Sequence, residues 1–375
     1  MRIVHVVTRF ARAGSERNLV HFMEWERDRG HDVSLIVGGQ PDSALMPAWL
    51  RCRSARHLVR EFSPGRDVRA VLELRRMLFE ERPDVVHTHQ SKAGIVGRAA
   101  ARCTGALLVH TVHMASFGRA YGWRSALFLA AERLSARGTD LMVTVGKELQ
   151  DTYLRAGVGR AGSYIIVRSP VGVERCRETR LLTSAERTAL RRETGLAEKV
   201  PVLVTVGALE ARKRHELLLR KLQPVIAGGH AVLLVAGDGP ERQRLEQRCH
   251  ELRIAAGVRF LGHVPNVEQV YALADVYVHA ATAEGVPQVV IQALASGLPV
   301  VATQSEGLQE VEAAPVVVVG SDGADLLEAV EAMLASPPDP VSFDHLEPWT
   351  IRDVDRQIAR LHAAITQRSH DVCRS

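Results

Sequence analysis

Short β-branched, apolar runs alternate with amphipathic stretches along the whole chain, and each such pair reads as a strand followed by a helix. The first run, R-I-V-H-V-V at 2–7, feeds a glycine-bearing loop, T-R-F-A-R-A-G-S-E-R, and then a helix at about 16–29. Gly30-His31-Asp32 turns the chain into a second strand, V-S-L-I-V-G-G. A helix over 66–82 ends at Pro83, and D-V-V-H-T-H-Q-S-K-A-G continues as strand and loop. Further strands are predicted at L-L-V-H-T-V, L-M-V-T-V and Y-I-I-V, with a helix around 123–137. After a polar stretch at 174–199, read as a linker with a short helix, the alternation restarts at P-V-L-V-T-V-G, A-V-L-L-V-A-G-D-G-P and V-R-F-L-G-H-V-P-N. Two successive modules predict an α/β chain of two parallel, doubly wound sheets, with ligands at the carboxyl ends of the strands in a crevice between the domains. The expected domains are 1–175 and 176–349. A last amphipathic helix, about 350–375, follows the break S-P-P-D-P and is expected to cross back onto the first domain.

The stretch from Ala283 to Thr303, A-E-G-V-P-Q-V-V-I-Q-A-L-A-S-G-L-P-V-V-A-T, is the richest in chemistry. Pro287 suits a first helical position and Gly297 the residue just past a helix end, so loop, helix and strand follow one another. The first turn of such a helix is a seat for an anion. Side chains lean toward a helix N-terminus, so the Gln292 amide reaches back toward the ligand that Glu284 faces. A second loop, with Arg9, Arg12, Gly14 and Ser15, offers backbone N–H and guanidinium groups to an anion. His87 and His89 share a strand face; without a third matched ligand, hydrogen bonding at the strand end is favoured over a metal. His113 closes a strand and opens a loop, which places it toward the ligand.

Composition narrows the class. The 375 residues, 46% hydrophobic and 24% charged, are those of a globular chain of two domains. The apolar run after Arg2 is too short for a signal peptide, and no stretch reaches the 18 apolar residues of a membrane span. Five widely spaced cysteines argue for reduced thiols, and with them a cytoplasmic setting, over a disulfide frame or a zinc site. Residues 1–175 carry 27 Lys+Arg against 17 Asp+Glu, leaving 21 against 26 for the rest. A basic first half attracts phosphorylated ligands or an anionic membrane surface; no nucleic-acid motif accompanies it. A dehydrogenase reading fails because G-D-G-P-E-R at 237–242 lacks the third glycine of a dinucleotide fingerprint.

Several motifs in order then resemble one family: A-G-S-E-R-N with R-G-H-D-V, D-V-V-H-T-H-Q-S-K-A-G, H-T-V-H, V-G-A-L-E-A-R-K, A-G-D-G-P, F-L-G-H-V, and E-G-V-P followed by A-S-G-L-P-V-V-A-T. Over nearly the whole chain the sequence resembles the retaining glycosyltransferases of family 4, whose GT-B architecture has two facing Rossmann-like domains. The resemblance implies sugar transfer from a nucleotide diphosphate sugar, UDP- or GDP-linked, in bacterial glycan or natural-product biosynthesis, with no metal or other cofactor. The acceptor is a small molecule or a lipid-linked glycan, with peripheral membrane contact through the basic domain. It further implies that Lys213 holds the diphosphate, that Glu284 and Gln292 stand at donor sugar and ribose, and that His113 faces the donor sugar. By the same resemblance Gly14 and Ser15 lie near the phosphates, the loop Gly262, His263, Val264 near the base, and Gly285, Val286, Pro287 at the anion-binding turn.

Three positions depart from the family pattern. Ala208 stands where an arginine is expected, with Arg212 or Arg214 as alternative sources of that charge; Gln292 stands for a glutamate; and I-I-V-R-S-P-V-G-V-E lacks the usual Asn-Gly. Two rival readings are a GT-B nucleotide-sugar 2-epimerase and a donor-binding subunit without activity.

Overall fold

The computed structural model describes residues 1–10, 14–41, 46–115, 117, 122, 124–311 and 315–372. Within it the chain forms two compact units, Met1–Pro170 with Arg352–Ser375, and Val171–Ile351. The last helix, Ile351–Val372, thus belongs almost wholly to the first unit. Its apolar face, Val354, Ile358, Leu361 and Ile365, is buried with Ile3, Phe22, Val85 and Val109. Their spacing of three or four residues makes one helical stripe.

The first unit has a seven-stranded sheet in the order β3-β2-β1-β4-β5-β6-β7. Its strands are β1 Arg2–Val7, β2 Asp32–Gly38, β3 Arg51–Ala55, β4 Val85–His89, β5 Leu107–Val112, β6 Leu141–Thr144 and β7 Tyr164–Ile166. All pairings are parallel. The second unit has six parallel strands, β8 Val202–Val206, β9 Val232–Ala236, β10 Val258–Gly262, β11 Val276–His279, β12 Val300–Thr303 and β13 Val316–Val319, in the order β10-β9-β8-β11-β12-β13. Helices cover both faces, which is why central strands such as V-L-V-T-V at β8 are buried at every position. The polar stretch predicted as linker forms two helices, Val173–Arg180 and Ser184–Glu193, the second opened by a capping box of Thr183 and Glu186. β3, with the polar sequence R-C-R-S-A, escapes a hydrophobicity search because it is a sheet edge.

In each sheet the order reverses once, between β1 and β4 and between β8 and β11. Such a reversal, outside the carboxyl ends of the strands, is the place where doubly wound sheets hold ligands.

Candidate active site

The reversal of the second sheet gathers the charged residues. Leaving β8, the chain passes Gly207 and exposed Ala208 into a single 3-10 turn, Ala211–Lys213; leaving β11, it enters the loop that carries Glu284. Lys213 Nζ is ion-paired with Glu284 Oε1, and Arg212 Nη1 lies 3.3 Å from Glu284 Oε2 while its Nε donates to Glu210 at 2.9 Å. Lys213 and Glu284 are about nine-tenths out of water, at 12% and 11% exposure. Burial opposes ionisation of Glu284, but Lys213, His279 and Arg212 outweigh it and hold the carboxyl below its ordinary value.

Backbone contacts fix this geometry. Thr282 N donates to Arg212 O at 2.9 Å and Glu284 N to Glu306 O at 3.0 Å, tying the Glu284 loop both to the turn after β8 and to the chain after β12. Gly307, at φ +82°, makes the second tie possible, since a Cβ there would lie 2.5 Å from Glu284 O. The first glycine of A-G-D-G-P has the same logic: a Cβ on Gly237 would meet Gly207 O at 1.9 Å.

Arg214 is excluded as the substitute for the arginine missing at 208. Its guanidinium donates to Ala280 O, Ser321 O and Thr303 Oγ1 at 2.7, 2.7 and 2.8 Å, bracing the loops from behind. Arg212, 40% exposed beside Glu284, is the guanidinium placed to supply that charge.

The helix beyond the loop runs from Gln288 to Ala295, so Pro287 is its N-cap and not its first residue. Gly285 and Pro287 are buried and Val286 packs on the core. Gln292 Nε2 donates to Val171 O at 2.7 Å, which commits one of its two amide hydrogens to the backbone and leaves the carbonyl oxygen and the other hydrogen for a ligand. A carboxylate has no proton for Val171 O. Gln292→Glu is therefore expected to destabilise the fold by about 1–3 kcal/mol, the range for a buried polar group deprived of its partner, readable as a lower urea midpoint.

Gly262 ends β10 at φ +69° and accepts from Gly237 N at 2.7 Å, which brings the loop of exposed His263 and half-buried Val264 beside the glycine turn. Two residues not singled out from the sequence join the site, His279 at the end of β11 and His215 after the Lys213 turn. Both are buried, with His279 Nε2 and His215 Nδ1 lacking hydrogen-bond partners. A histidine closing a strand, the signal that marks His113, would have found His279. Burial lowers both to about 4. Since their folded values lie below the ordinary 6.5, the unfolded chain binds more protons between these limits. Thermal stability is expected to fall as pH drops from about 6.5 toward 4, which calorimetric melting across that window checks.

In the first unit, the β1–β4 reversal is bridged by Gln90, whose backbone has φ +62° and ψ 157°. Its Oε1 accepts from Thr8 N and Arg9 N, both at 3.2 Å, and its Nε2 donates to Arg9 O at 3.0 Å and Glu16 Oε1 at 3.1 Å. One side chain thus anchors the loop between β1 and the helix Gly14–Asp28. Gly14 opens that helix; the Ser15 side chain and Arg12 lie outside the described residues. The ring of His113 stacks on that of His89 at 5.7 Å, and burial lowers it to about 4, so it is neutral near pH 7. Lys213, Arg212 and Glu284 are therefore in contact within one unit, and His113 and Gly14 belong to the other.

Residues 13–167 match the family described as "Glycosyl transferase 4-like domain", and residues 186–345 match "Glycosyl transferases group 1". The chain belongs to the glycosyltransferases of the family-4 type, with the GT-B fold. Among curated relatives, the D-inositol 3-phosphate glycosyltransferase of Geodermatophilus obscurus is 32% identical over 274 residues, 67% of this chain and 59% of that protein. An uncharacterized glycosyltransferase of Methanocaldococcus jannaschii is 27% identical over 240 residues, 63% of this chain and 61% of its own length. The matches thus span less than two-thirds of either relative. Anabaena Alr3699/HepE in complex with UDP shares the fold at a TM-score of 0.79 and 19% identity, covering 97% of this chain and 100% of that one.

Proposed function

We propose that the chain is a retaining glycosyltransferase that moves a sugar from a UDP- or GDP-linked donor to an acceptor, with no metal at the reacting centre. The observation that carries this reading is the ion-paired Lys213–Glu284–Arg212 group, its lysine and glutamate largely buried, at the reversal of the second sheet. The UDP complex of the Anabaena protein supports the choice of donor.

Two cations and the N-terminal turn of the helix Gln288–Ala295 suit a diphosphate, and a carboxylate suits sugar hydroxyls. Donor binding then exchanges the Lys213–Glu284 pair for a lysine–diphosphate and a carboxylate–sugar contact. Gln292 offers its carbonyl to a ribose hydroxyl, and His263 and Val264 flank the base. In the first unit, the neutral His113 imidazole suits a hydrogen bond to a sugar hydroxyl, and the Gly14–Ser15 backbone suits a phosphate. As the bond from the anomeric carbon to the phosphate oxygen breaks, Lys213 and Arg212 stabilise the charge that develops on the diphosphate. The acceptor oxygen bonds to the same carbon from the same face, and its proton passes to the departing phosphate oxygen. Incubation with UDP- and GDP-sugars, followed by chromatography for released nucleoside diphosphate and NMR of the product's anomeric centre, tests the reading. Release with a retained configuration supports it; an inverted configuration, or no release from either donor series, contradicts it.

The basic first unit supports an acceptor presented at an anionic membrane surface. No helix among the described residues is long and apolar enough to cross a bilayer. The helix Pro64–Glu81, however, turns Val68, Leu72 and Phe79 outward at 62%, 61% and 49% exposure, on one stripe flanked by Arg69, Arg75 and Arg76. Such a face suits shallow insertion beside anionic headgroups. Co-sedimentation with vesicles containing phosphatidylglycerol, lost in Leu72→Glu and absent with phosphatidylcholine alone, is the expected result.

A further inference from the structure

The first unit holds a group of imidazoles on two neighbouring strands, and one of these rings, His89, stacks on His113. β1 and β4 are paired in register at His5 and His87, and His89, two residues on, shares the face of His87. All three are at most 1% exposed, and one nitrogen of each lies within 4.8 Å of the others. The closest approach is 3.0 Å, between His5 Nδ1 and His89 Nε2. The third imidazole that the spacing of His87 and His89 did not supply therefore comes from the neighbouring strand.

The surroundings resemble those of metal-bound histidines. His5 Nε2 is 2.7 Å from Glu26 Oε2, and the other oxygen of Glu26 is 3.0 Å from His362 Nε2. His87 Nε2 is 2.7 Å from Thr111 Oγ1. Outer nitrogens held by a carboxylate and a hydroxyl fix the His5 and His87 rings and turn their other nitrogens inward, as the partners of metal-ligating histidines do. Two further observations point to a cation. His89 Nδ1 is buried with no hydrogen-bond partner, so hydrogen bonding alone leaves capacity unused. The Glu26 carboxylate is 2% exposed, and its ion-pair partners among the described residues are two histidines, with no lysine or arginine. A buried carboxylate needs a positive charge nearby.

We propose that His5, His87 and His89 bind one divalent transition-metal ion, with Zn2+ the best fit, and that the ion clamps β1 to β4 beneath the helix carrying Glu26. Three nitrogen ligands suit Zn2+, Co2+, Ni2+ or Cu2+ and not Mg2+ or Ca2+. At Zn–N distances of about 2.0–2.1 Å, tetrahedral ligand atoms are about 3.3 Å apart, so small χ rotations that draw in the widest pair complete the site. The role is structural, and the inference stands on the first unit alone, independently of the proposed reaction.

The full-length chain, purified without a metal-affinity tag and dialysed into metal-free buffer, is titrated with Zn2+ and separately with Co2+. Binding is followed by elemental analysis, by the visible spectrum of Co2+ and by melting temperature. The expected result is about one equivalent bound, with the melting temperature raised. Affinity should fall tenfold or more in His87→Gln, His89→Gln and Glu26→Gln, and stay unchanged in the surface control His230→Gln. Absence of a nitrogen-ligated Co2+ spectrum together with no Zn2+ stabilisation of the wild type overturns the proposal, as does equal binding by folded His87→Gln and His89→Gln. If those variants do not fold by circular dichroism, the wild-type Co2+ spectrum and stoichiometry decide the question.

Discussion

Lys213→Ala is expected to lower turnover by about a hundred- to a thousand-fold, the usual cost of removing one preorganised charge or donor from a developing anion. The same variant should keep its fold, because Lys213 sits on a single 3-10 turn held by backbone bonds of its neighbours, and Arg212 remains 3.3 Å from Glu284. Comparing kcat with the urea midpoint of the purified variant separates the two effects. A loss of activity that merely follows a loss of stability would make the Lys213–Glu284 pair a structural bond. A large drop in kcat at nearly unchanged stability is the predicted pattern. Lys213→Arg keeps the charge but changes its shape, so partial recovery is expected.

The largest effect on stability is expected at Arg98→Ala. Arg98 is 1% exposed and pairs at 2.6 Å with Glu132, which is fully buried; its Nε donates to Gly94 O at 2.7 Å. Removing the guanidinium takes the positive charge away from a carboxylate shielded from water, which typically costs about 3–5 kcal/mol. For a unit of this size that lowers the melting temperature by about 6–20 °C. Replacing both partners by apolar residues, Arg98→Met with Glu132→Leu, should recover most of the loss, since the pair's attraction is offset by the cost of burying its charges. Differential scanning calorimetry of the single and double variants checks both statements.

How much of this was legible in the sequence depends on the range of the signal. Strands such as V-L-L-V-A and V-L-V-T-V show because a buried parallel strand needs a nearly continuous apolar run. The Glu284 loop shows because Pro287 and Gly297 bracket its helix. The polar edge strand β3 does not, since an edge carries no such run. Arg98 with Glu132, and His5 with His87, were illegible for a different reason: each pair is made by packing between elements far apart in the chain, and nothing local marks one of many arginines as buried. Gln90 reads as an ordinary polar residue after a strand, and only its +62° φ and four hydrogen bonds show it to be the anchor of the β1 loop. The exchange of arginine for Ala208 was visible, but choosing Arg212 over Arg214 required the positions of the two guanidinium groups.

The central claim is that Lys213, Arg212 and Glu284 form the seat of a nucleoside diphosphate. Its most direct test is a calorimetric titration of UDP and GDP into the wild type and Lys213→Ala. The account predicts that at least one nucleotide binds the wild type and that its affinity falls tenfold or more in the variant; equal affinity in both proteins, or no binding of either nucleotide to the wild type, would contradict it.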